Sequence, residues 1–539
     1  MNGAEVFDYV IVGGGAAGCV LAGRLSEDSG VSVCLIEEGA SKHDGALIRA
    51  PMGFALGAQI KANLHPYQSV PQPGLNGRRS YQPRGKVLGG STAINAMMYV
   101  RGHPGDYDDW AAQGNAGWDY ASVLPFFTQA ENNECFEADA VHGKGGPLNV
   151  RQLSDPSPLN EAFLQACEAA GLPRTPDYNQ GQPEGCWPTQ VMQKDGERCS
   201  AARAYLQPAM ARPNLRVISG ARVQGLVLEQ RRATGVRFTQ KGSHARSVGA
   251  RREVLLAAGA FGSPQLLMLS GIGRGADLQA LGIPLVHELN GVGQNLQDHI
   301  TANISWRSAD PHATFGNSLR GALGLLRGIQ QWRRERRGVL TSNVAESGAF
   351  LRSRPDLPRP DIELEMLRSI VDDHVRKQHL GHGFTLHVVL LRPQSRGEVR
   401  LASRDPGAAL QVDPRYFSAP EDMQDLVRGT QRALEICEGD ALRALRGPLL
   451  YPMDRHDAAS IEREIRRSGD TEYHPVGTCR MGPASDTSAV VDAELRVHGI
   501  QGLRVIDASI MPTLVGGNTT APTIMIGEKG ADLVRCSGV

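Results

Sequence analysis

A glycine-rich turn near the start of the chain has the spacing that brings a protein backbone close to phosphate groups. The turn has the pattern G-x-G-x-x-G and consists of Gly13, Gly14, Gly15, Ala16, Ala17 and Gly18. The first glycine permits the tight turn, the second lets the backbone approach a pyrophosphate, and the third lets a helix pack against a strand. The N–H groups at the start of that helix then face the phosphates with a partial positive charge.

The segments around this turn follow the order that a dinucleotide fold requires. Phe7–Val12 is an apolar, β-branched run, Cys19–Leu25 is an amphipathic segment, and Val31–Ile36 is a second apolar run. Glu37 closes that run 19 residues after Gly18, where a carboxylate accepts hydrogen bonds from ribose hydroxyls. The pattern therefore predicts a dinucleotide site, although it does not separate FAD from NAD.

The composition argues against several other classes of function. Lys and Arg total 57 of the 539 residues and Asp and Glu also total 57, so no basic excess is available for nucleic acid or an anionic membrane. No apolar run reaches about 18 residues, the length of a membrane-spanning helix, and the first residues lack the features of a signal peptide. The nine cysteines have no CxxC spacing, which predicts reduced cysteines, no metal site and a cytoplasmic location.

Several further segments carry recognisable motifs in a fixed order. They are RGKVLGGSTAINAMMYVRGHPGDYD (Arg84–Asp108), GAFGSPQLLMLSGIG (Gly259–Gly273), GVGQNLQDH (Gly291–His299), YHPVGTCRMG (Tyr473–Gly482) and GGNTTAPTIMIGEKGADLV (Gly516–Val534). Together with the N-terminal turn, these motifs resemble those of the glucose–methanol–choline (GMC) family of flavin oxidoreductases. The resemblance extends from one end of the chain to the other, and it implies FAD as the cofactor.

The resemblance implies an α/β fold with two domains. A Rossmann-like FAD-binding domain is expected from discontinuous segments, and a substrate-binding domain is expected on an antiparallel sheet with helices. The expected division is FAD-binding domain 1–155, 213–306 and 470–539, and substrate-binding domain 156–212 and 307–469.

The residue pattern agrees with a discontinuous core. Val223–Leu228, Glu253–Ala258 and Leu503–Ile506 are short apolar runs of the kind found in buried strands, although they are far apart in sequence. Phe384–Leu391 and Gly397–Leu401 alternate with a period of two, which predicts a sheet with one covered face.

The resemblance also implies which residues hold FAD. The glycines of the second motif would let the backbone lie against the cofactor, and Ser91 and Asn95 would supply side-chain hydrogen bonds. The predicted FAD contacts are Gly13, Gly15, Ala16, Ala17, Gly18, Glu37, Gly85, Val87, Gly89, Gly90, Ser91, Asn95, Ala96, Met97, Val223, Asp507, Ala508, Asn518, Thr519 and Thr520. Ile94 stands where some relatives attach FAD through a histidine, so we expect non-covalent FAD.

A helix is predicted at the C-terminal end of the chain. Thr519 at the cap and Pro522 in the first turn are favourable for starting a helix, and the apolar periodicity continues to Val534. In the GMC family this helix points its N-terminus at the pyrimidine edge of the flavin. Reduction leaves negative charge at that edge, which a helix N-terminus stabilises.

His474 and Asn518 match the catalytic pair of the family. Oxidation of an alcohol removes the hydroxyl proton and moves a hydride to flavin N5. An alcohol with a pKa near ~16 differs by about 9 units from an imidazole, so complete proton transfer would cost about 13 kcal/mol. The proton must therefore leave together with the hydride, or the oxyanion must be held by preorganised donors. His474 is the predicted base and Asn518 the predicted donor.

The resemblance also indicates residues of the substrate pocket and a class of substrate. Met98, Glu346 and Tyr473 are the expected pocket residues, and Glu346 is either a cation-binding carboxylate or a structural one. The resemblance favours oxidation of a primary alcohol to its aldehyde, with a quinone or another acceptor taking the electrons. Choline dehydrogenation, an alcohol oxidase that forms hydrogen peroxide, a cyanohydrin lyase and a non-catalytic flavoprotein are the alternatives, in falling order.

Leu319–Trp332 has helical apolar spacing and is followed by a basic cluster, Arg333 to Arg337 with one glutamate. This pattern predicts an amphipathic helix with a basic end. We expect a solvated helix that covers the substrate domain. The alternative is peripheral contact with the inner membrane, where a quinone would accept electrons.

Overall fold

The computed structural model describes residues 5–41, 44–56, 63–181, 183–240 and 244–537. The strands in these ranges are β1 (Glu5–Val12), β2 (Val33–Ile36), β3 (Leu64–Gln68), β4 (Tyr81–Gly85), β5 (Glu131–Asn133), β6 (Leu148–Gln152), β7 (Gly185–Pro188), β8 (Gln190–Val191), β9 (Gln193–Lys194), β10 (Glu197–Arg198), β11 (Leu215–Ile218), β12 (Ala221–Glu229), β13 (Arg232–Gln240), β14 (Arg246–Leu256), β15 (Ile272–Gly273), β16 (His287–Glu288), β17 (Ile300–Ser308), β18 (Gly316–Asn317), β19 (Ala345–Leu351), β20 (Ile362–Leu367), β21 (Gly381–Leu390), β22 (Glu398–Arg400), β23 (Gln411–Asp413), β24 (Asp470–Thr471) and β25 (Leu503–Val505).

The α-helices in these ranges are α1 (Ala16–Leu25), α2 (Ala46–Arg49), α3 (Pro104–Ala112), α4 (Tyr120–Ala130), α5 (Pro158–Ala169), α6 (Gln207–Ala209), α7 (Gly259–Leu269), α8 (Gly275–Ala280), α9 (Leu319–Glu335), α10 (Pro420–Glu438), α11 (Ala458–Ser468) and α12 (Thr520–Cys536). The expected C-terminal helix is confirmed as α12. It begins at Thr520 with Thr519 in the cap position, but no side chain caps its first turn.

The first large sheet joins strands from three distant parts of the chain. Its order is β11-β2-β1-β14-β13-β12, and β25 pairs with β14. The neighbouring strands β11, β2, β1 and β14 are parallel to one another, and β25 is parallel to β14. β13 and β12 extend the sheet beyond β14 in antiparallel fashion. The central strands are buried apolar runs because helices or loops cover both faces of the sheet. The predicted strand–turn–helix–strand unit is confirmed as β1, α1 and β2.

The helices α1 and α12 lie close together beside this sheet. A Cβ placed on Gly527 of α12 would be 2.9 Å from Val20 Cβ and 3.1 Å from Ala17 Cα. Real side chains essentially never pack so closely, so glycine is what allows the two helices to approach. This contact brings the start of α12 near the glycine turn that precedes α1.

The second large sheet is antiparallel, with the order β24-β17-β21-β20-β19-β7 and with β18 pairing to β21. One face of β21, through Phe384, Leu386 and Val388, belongs to a core that includes residues of α10. On the opposite face of β21, Val389 packs in a second apolar cluster that also contains Met98 and Trp187. The expectation of one covered face is therefore wrong, because this sheet is buried between the helices and the rest of the protein.

Two strands of the second sheet lie at expected domain boundaries, and the division into domains stays a prediction. β17 runs from Ile300 to Ser308 and crosses the boundary placed at residue 306, while β24 begins at Asp470. Both segments pair within the second sheet. Apart from β7, the strands of the second sheet thus come from Ile300 onwards, and β24 ends two positions before Tyr473, where the YHPVGTCRMG motif begins.

The cysteines and the lengths of the helices bear on two further predictions. All nine cysteines are free thiols, and most of them are buried. None of the helices in the described parts of the chain has both the length and the apolar character needed to cross a membrane.

Candidate active site

The two residues of the predicted catalytic pair lie side by side. Asn518 Nδ2 is 3.5 Å from His474 Nε2, although the residues are 44 positions apart in sequence. His474 follows β24 of the second sheet, whereas Asn518 precedes α12, which packs against α1 beside the first sheet. The pair thus forms where the two halves of the molecule meet.

The backbone at His474 is held from the GVGQNLQDH motif. His474 N donates to Asp298 Oδ1 at 2.9 Å, and Asp298 Oδ2 accepts from the Thr471 hydroxyl at 2.5 Å. Tyr473 has a left-handed φ of +68°, which a bulky residue keeps only where its surroundings enforce it. Arg84 Nη1 contributes by donating to Tyr473 O at 2.6 Å. These contacts fix the direction of the His474 side chain.

A second histidine determines which nitrogen of His474 carries its proton. His299 Nε2 lies 3.1 Å from the carbonyl oxygen of Leu391, and a carbonyl can only accept, so Nε2 is the protonated nitrogen. The lone pair of neutral His299 is then on Nδ1, which is 3.0 Å from His474 Nδ1. His474 must therefore donate from Nδ1, and its Nε2 carries the lone pair, which accepts only a long, 3.5 Å hydrogen bond from Asn518 Nδ2.

Both imidazoles are neutral in this environment. Burial lowers the pKa of His299 to about 3, and burial, with His299 and Arg84 nearby, lowers the pKa of His474 well below its ordinary value. A neutral imidazole with its lone pair on Nε2 is the state that a general base requires. The low pKa also widens the gap to an alcohol, so a free alkoxide is even less accessible than it would be with an unperturbed histidine.

Asn518 is held by a buried carboxyl group. Asn518 Nδ2 donates to Glu365 Oε1 at 3.2 Å, so one amide N–H is used by the protein and the other lies on the side of His474. Asn518 Oδ1 is buried and has no hydrogen-bond partner within the described residues. A buried amide oxygen without a hydrogen-bond donor destabilises a folded protein. It therefore marks a position where a bound molecule would supply the missing donor.

Glu365 belongs to a cluster of buried ionisable groups behind the pair. Glu365, His387 and Glu472 have ligand atoms within 4.8 Å of one another, and His387 Nδ1 lies 3.1 Å from Glu472. Glu363 is fully buried beside them. Burial, with Glu472 and Glu363 nearby, raises the pKa of Glu365 well above its ordinary value. The cluster therefore holds protons at neutral pH, because three close buried carboxylates cannot all be ionised.

No role for these supporting residues was predicted from the sequence. Asp298 and His299 end the GVGQNLQDH motif, so their place in a recognised motif was a usable signal. Glu365 and His387 carried no such signal, because they meet only through the register of β20 and β21, in which they are directly opposite.

The predicted ribose-binding acid, Glu37, is buried next to the glycine turn. Its Oε2 accepts from Gly14 N at 2.8 Å and its Oε1 accepts from Gly39 N at 2.7 Å. Burial raises its pKa to about 7, although the two backbone N–H groups act in the opposite direction. Glu37 thus holds the glycine turn in place through two backbone N–H groups.

Two glycines of the predicted set lie against each other. A Cβ on Gly90, which has φ of +53°, would be 2.7 Å from Gly15 Cα. A Cβ on Gly15 would meet only Ala257 O, at 3.9 Å, so the space beside Gly15 is open. Gly15 is also the cap residue of α1 and provides no side-chain cap. The arrangement is that of a cradle for a phosphate at a helix N-terminus.

The second motif is tied to α12 through side chains that were predicted from the sequence. Asn95 Nδ2 donates to Thr520 Oγ1 at 3.1 Å, and Asn95 Oδ1 accepts from Arg198 Nη1 at 2.8 Å. Ser91 Oγ accepts from Gly85 N at 3.2 Å. The glycine turn, the second motif and the start of α12 are therefore adjacent in space.

The remaining predicted FAD residues lie in these segments or on the first sheet. Val223 pairs with Phe238 in the antiparallel extension. Asp507 Oδ2 accepts from the Ser263 hydroxyl at 2.6 Å and from Gly259 N at 2.8 Å, so it joins β25 to α7. Val87 and Ala96 belong to the second motif, and Ala508 follows Asp507. Val87 is buried, and Ala96 and Ala508 are half-buried. Met97 has a left-handed φ of +60°.

The expected pocket residues differ in what they contact. Met98 is buried in the apolar cluster that includes Trp187 and Val344, and Tyr473 Oη is 2.6 Å from His374 Nδ1. Glu346 is 3% exposed, with Oε1 accepting from Arg368 at 3.0 Å and from a serine, and Oε2 accepting from a backbone N–H. Both oxygens of Glu346 are thus used within the protein, which favours the structural one of its two expected roles.

The residues present fit a bound FAD. Arg84 is half-buried at the edge of the second motif, and its buried Nε and Nη2 have no hydrogen-bond partner in the described ranges. Arg84 contacts the residue before His474, and the start of α12 follows Asn518. The uncapped start of α1 at Gly15 lies against Gly90 of the second motif. A cofactor that presents phosphate and flavin oxygens would satisfy these donors.

Two models of one protein family match most of this chain. Residues 7–301 match the N-terminal model and residues 393–527 the C-terminal model of the GMC oxidoreductases. The chain therefore belongs to the GMC oxidoreductase family, and it is an FAD-dependent oxidoreductase that acts on alcohol groups.

Individual relatives are similar over nearly the whole chain. The chain is 42% identical to an alcohol dehydrogenase [acceptor] of Pseudomonas putida, covering 98% of this chain and 96% of that protein. It is 40% identical to the mitochondrial choline dehydrogenase of Mus musculus, covering 99% and 90%. Among solved structures, pyridoxine 4-oxidase from "Mesorbium loti" has a TM-score of 0.87 and 33% identity, covering 98% of each chain.

Proposed function

We propose that this protein oxidises a primary alcohol to its aldehyde, with His474 as the general base and non-covalent FAD as the hydride acceptor. The observation that carries the proposal is the unprotonated Nε2 of His474, which lies 3.5 Å from Asn518 Nδ2. When bound, FAD supplies the electron-deficient nitrogen, N5, that accepts the hydride.

The side chains of the site divide the work on the substrate hydroxyl. His474 Nε2 accepts the hydroxyl proton, and the N–H of Asn518 on the same side stabilises the charge that develops on oxygen. Because the pKa of His474 lies well below that of an alcohol, the proton leaves as the C–H bond breaks and no free alkoxide accumulates. His474 is buried and Asn518 is half-buried, which reduces competition by water for the hydrogen bonds to oxygen.

The substrate class is proposed from the relatives and the charge of the site. A 42% identical relative is named as an alcohol dehydrogenase [acceptor] and a 40% identical one as a choline dehydrogenase. Choline is held by aromatic faces and by an available carboxylate, whereas both oxygens of Glu346 are occupied. We therefore place neutral primary alcohols first and choline second, with a quinone or another acceptor in preference to oxygen.

An alcohol panel tests the proposal directly. The purified holoprotein is mixed anaerobically with primary aliphatic and aryl alcohols and with choline, and the loss of flavin absorbance is followed. We expect neutral primary alcohols to bleach the flavin. Bleaching by choline alone would move the substrate class to the alternative. Failure of every alcohol would contradict the proposal and favour the cyanohydrin lyase, which the panel would then test by aldehyde release from a cyanohydrin.

Two variants and two further measurements complete the test. His474→Ala should slow anaerobic flavin reduction by about 10²- to 10⁴-fold, the usual contribution of a general base, and His456→Ala, at an exposed histidine, should not. Hydrogen peroxide yield in air against dye reduction under argon separates oxidase from dehydrogenase. Acid precipitation should release all flavin into the supernatant, and flavin left on the pellet would contradict non-covalent binding.

A further inference from the structure

The helix α9 turns a row of leucines towards solvent. Leu319, Leu323 and Leu326 are 79%, 47% and 64% exposed, and their spacing of four and three places them on one face. Leu380 is 83% exposed and lies beside the start of the helix, since Leu380 and Asn317 form a β-bridge. Large apolar side chains grouped at one surface are uncommon in a protein that contacts only water.

The opposite face of α9 is firmly attached to the protein. Leu325 and Ile329 pack against a cluster that contains buried Trp332, and Trp332 Nε1 donates to Gly196 O at 2.7 Å. The helix starts at a Ser318 cap whose hydroxyl accepts from Gly321 N at 3.0 Å. The leucine row is therefore presented by a helix fixed at both ends and is not a frayed segment that happens to be exposed.

Unpaired positive charge surrounds the leucines. Arg320, Arg327, Arg333 and Arg334 are exposed, and none of these four forms an ion pair in the part of the chain that the structure describes. The helix contains a single acid, Glu335, at its last residue. The two acids nearest Leu380 in sequence already have partners: Asp373 contacts Arg376, and Asp372 Oδ2 lies 2.7 Å from His379 Nε2. The surface is locally basic although the whole chain is neutral.

We propose that this docking face, formed by Leu319, Leu323, Leu326 and Leu380 with the four arginines, binds the surface of an anionic phospholipid bilayer. On such a bilayer the leucines would enter the boundary between headgroups and acyl chains, and the arginines would lie level with the phosphates. The apolar side chains and the positive charges would then both have partners. A second copy of the chain fits less well, because a symmetric contact would bring the arginines of both copies together. A nucleic acid would pair with the arginines but leave the leucines in water.

The consequence for electron transfer rests on the proposed function. A membrane-bound protein can pass electrons to a lipid-soluble quinone, which agrees with a quinone as the acceptor. Binding to the bilayer itself does not depend on the substrate, so the two proposals fail separately.

Co-sedimentation with vesicles tests the docking face. The FAD-loaded full chain is mixed with vesicles of phosphatidylcholine, with and without phosphatidylglycerol, and the bound fraction is measured without any alcohol. We expect binding that requires phosphatidylglycerol and weakens with salt. Leu323→Asp and Leu326→Asp should each reduce the partition coefficient by about tenfold or more, the factor expected when one leucine no longer enters an apolar phase. Arg320→Gln/Arg327→Gln should reduce the salt dependence.

Matched controls separate the face from general surface effects. Leu285→Asp, at another exposed leucine (39%), should bind as the wild type does, and Leu380→Asp tests the face from a segment outside α9. Flavin content and circular dichroism should be unchanged in every variant. The proposal is wrong if the wild type stays in the supernatant or if Leu323→Asp binds equally well. It is also wrong if light scattering shows dimers that Leu323→Asp dissociates, or if RNA competes while the leucine variants bind normally.

Discussion

The contact between His299 and His474 leads to a quantitative prediction about catalysis. His299 Nδ1 accepts the proton of His474 Nδ1 at 3.0 Å, in a site where His299 is fully buried. In His299→Leu this acceptor is lost, and the reactive tautomer of His474 then carries a buried N–H without a partner. Leaving such a donor unsatisfied costs about 1–3 kcal/mol, so the population of the tautomer with a free Nε2 falls.

The expected change in rate follows from that energy. At 1.36 kcal/mol for each factor of ten, anaerobic flavin reduction in His299→Leu should be about 5- to 150-fold slower than in the wild type. The loss should appear in the limiting rate at saturating alcohol, because His299 touches the base and not the substrate. Stopped-flow absorbance under argon measures this rate, and flavin content confirms that the variant still binds its cofactor.

A conservative variant distinguishes proton placement from packing. In His299→Asn, the amide oxygen of the new side chain would lie close to the position of Nδ1 and restore an acceptor for His474. We therefore expect His299→Asn to reduce flavin faster than His299→Leu. The reasoning would be refuted if His299→Leu, with its full complement of FAD, reduced the flavin within about twofold of the wild-type rate, since a loss of about 1 kcal/mol already exceeds that factor.

Three other predictions concern the cofactor site, the buried acids and the stability of the fold. Gly15→Val should fold, as judged by circular dichroism, yet contain little FAD, because the space at Gly15 is open in the protein itself; a full flavin content would contradict the phosphate cradle. Glu365→Gln should keep near-normal flavin reduction, since the raised pKa of Glu365 favours its protonated form, whereas Glu365→Leu should slow reduction by about 5- to 150-fold through loss of the hydrogen bond to Asn518. Burial lowers the pKa of His142, but Asp177 and Glu131 outweigh it and raise the pKa to about 9, so its stabilisation is complete below pH 6.5 and is lost as the pH rises through about 9. The wild-type Tm should therefore fall across this window more steeply than the Tm of His142→Gln, and parallel curves would refute the assignment.

The local chemistry of the sequence was sufficient for the nucleotide site. The glycine turn, the two apolar runs and Glu37 are close in sequence, and each acts within a few residues of the next. For that reason β1, α1 and β2 could be predicted with nearly the observed bounds. The pairing of His474 with Asn518 was predicted only through the motif resemblance, because nothing local relates two residues separated by 44 positions.

The period-two pattern of Phe384–Leu391 shows where such reasoning fails. Alternation distinguishes two faces of a strand, but it does not say what covers each of them. One face of β21 packs in the core with α10, and the other carries His387 towards Glu365 and Glu472. A polar residue on a buried face looks like a solvent-facing residue in the sequence, and only its tertiary partners distinguish the two.

The sequence by itself determined the family motifs, the dinucleotide turn, the catalytic residue types and the helix that carries the leucine row. Tertiary structure alone decided that His299 sets the tautomer of the base, that Glu365 holds Asn518, that Glu346 is paired with Arg368, and that the leucines of α9 face outward. The physical reason is that local geometry depends on neighbours in the chain. Protonation, hydrogen bonding and burial depend on groups that folding brings together from distant parts of the chain.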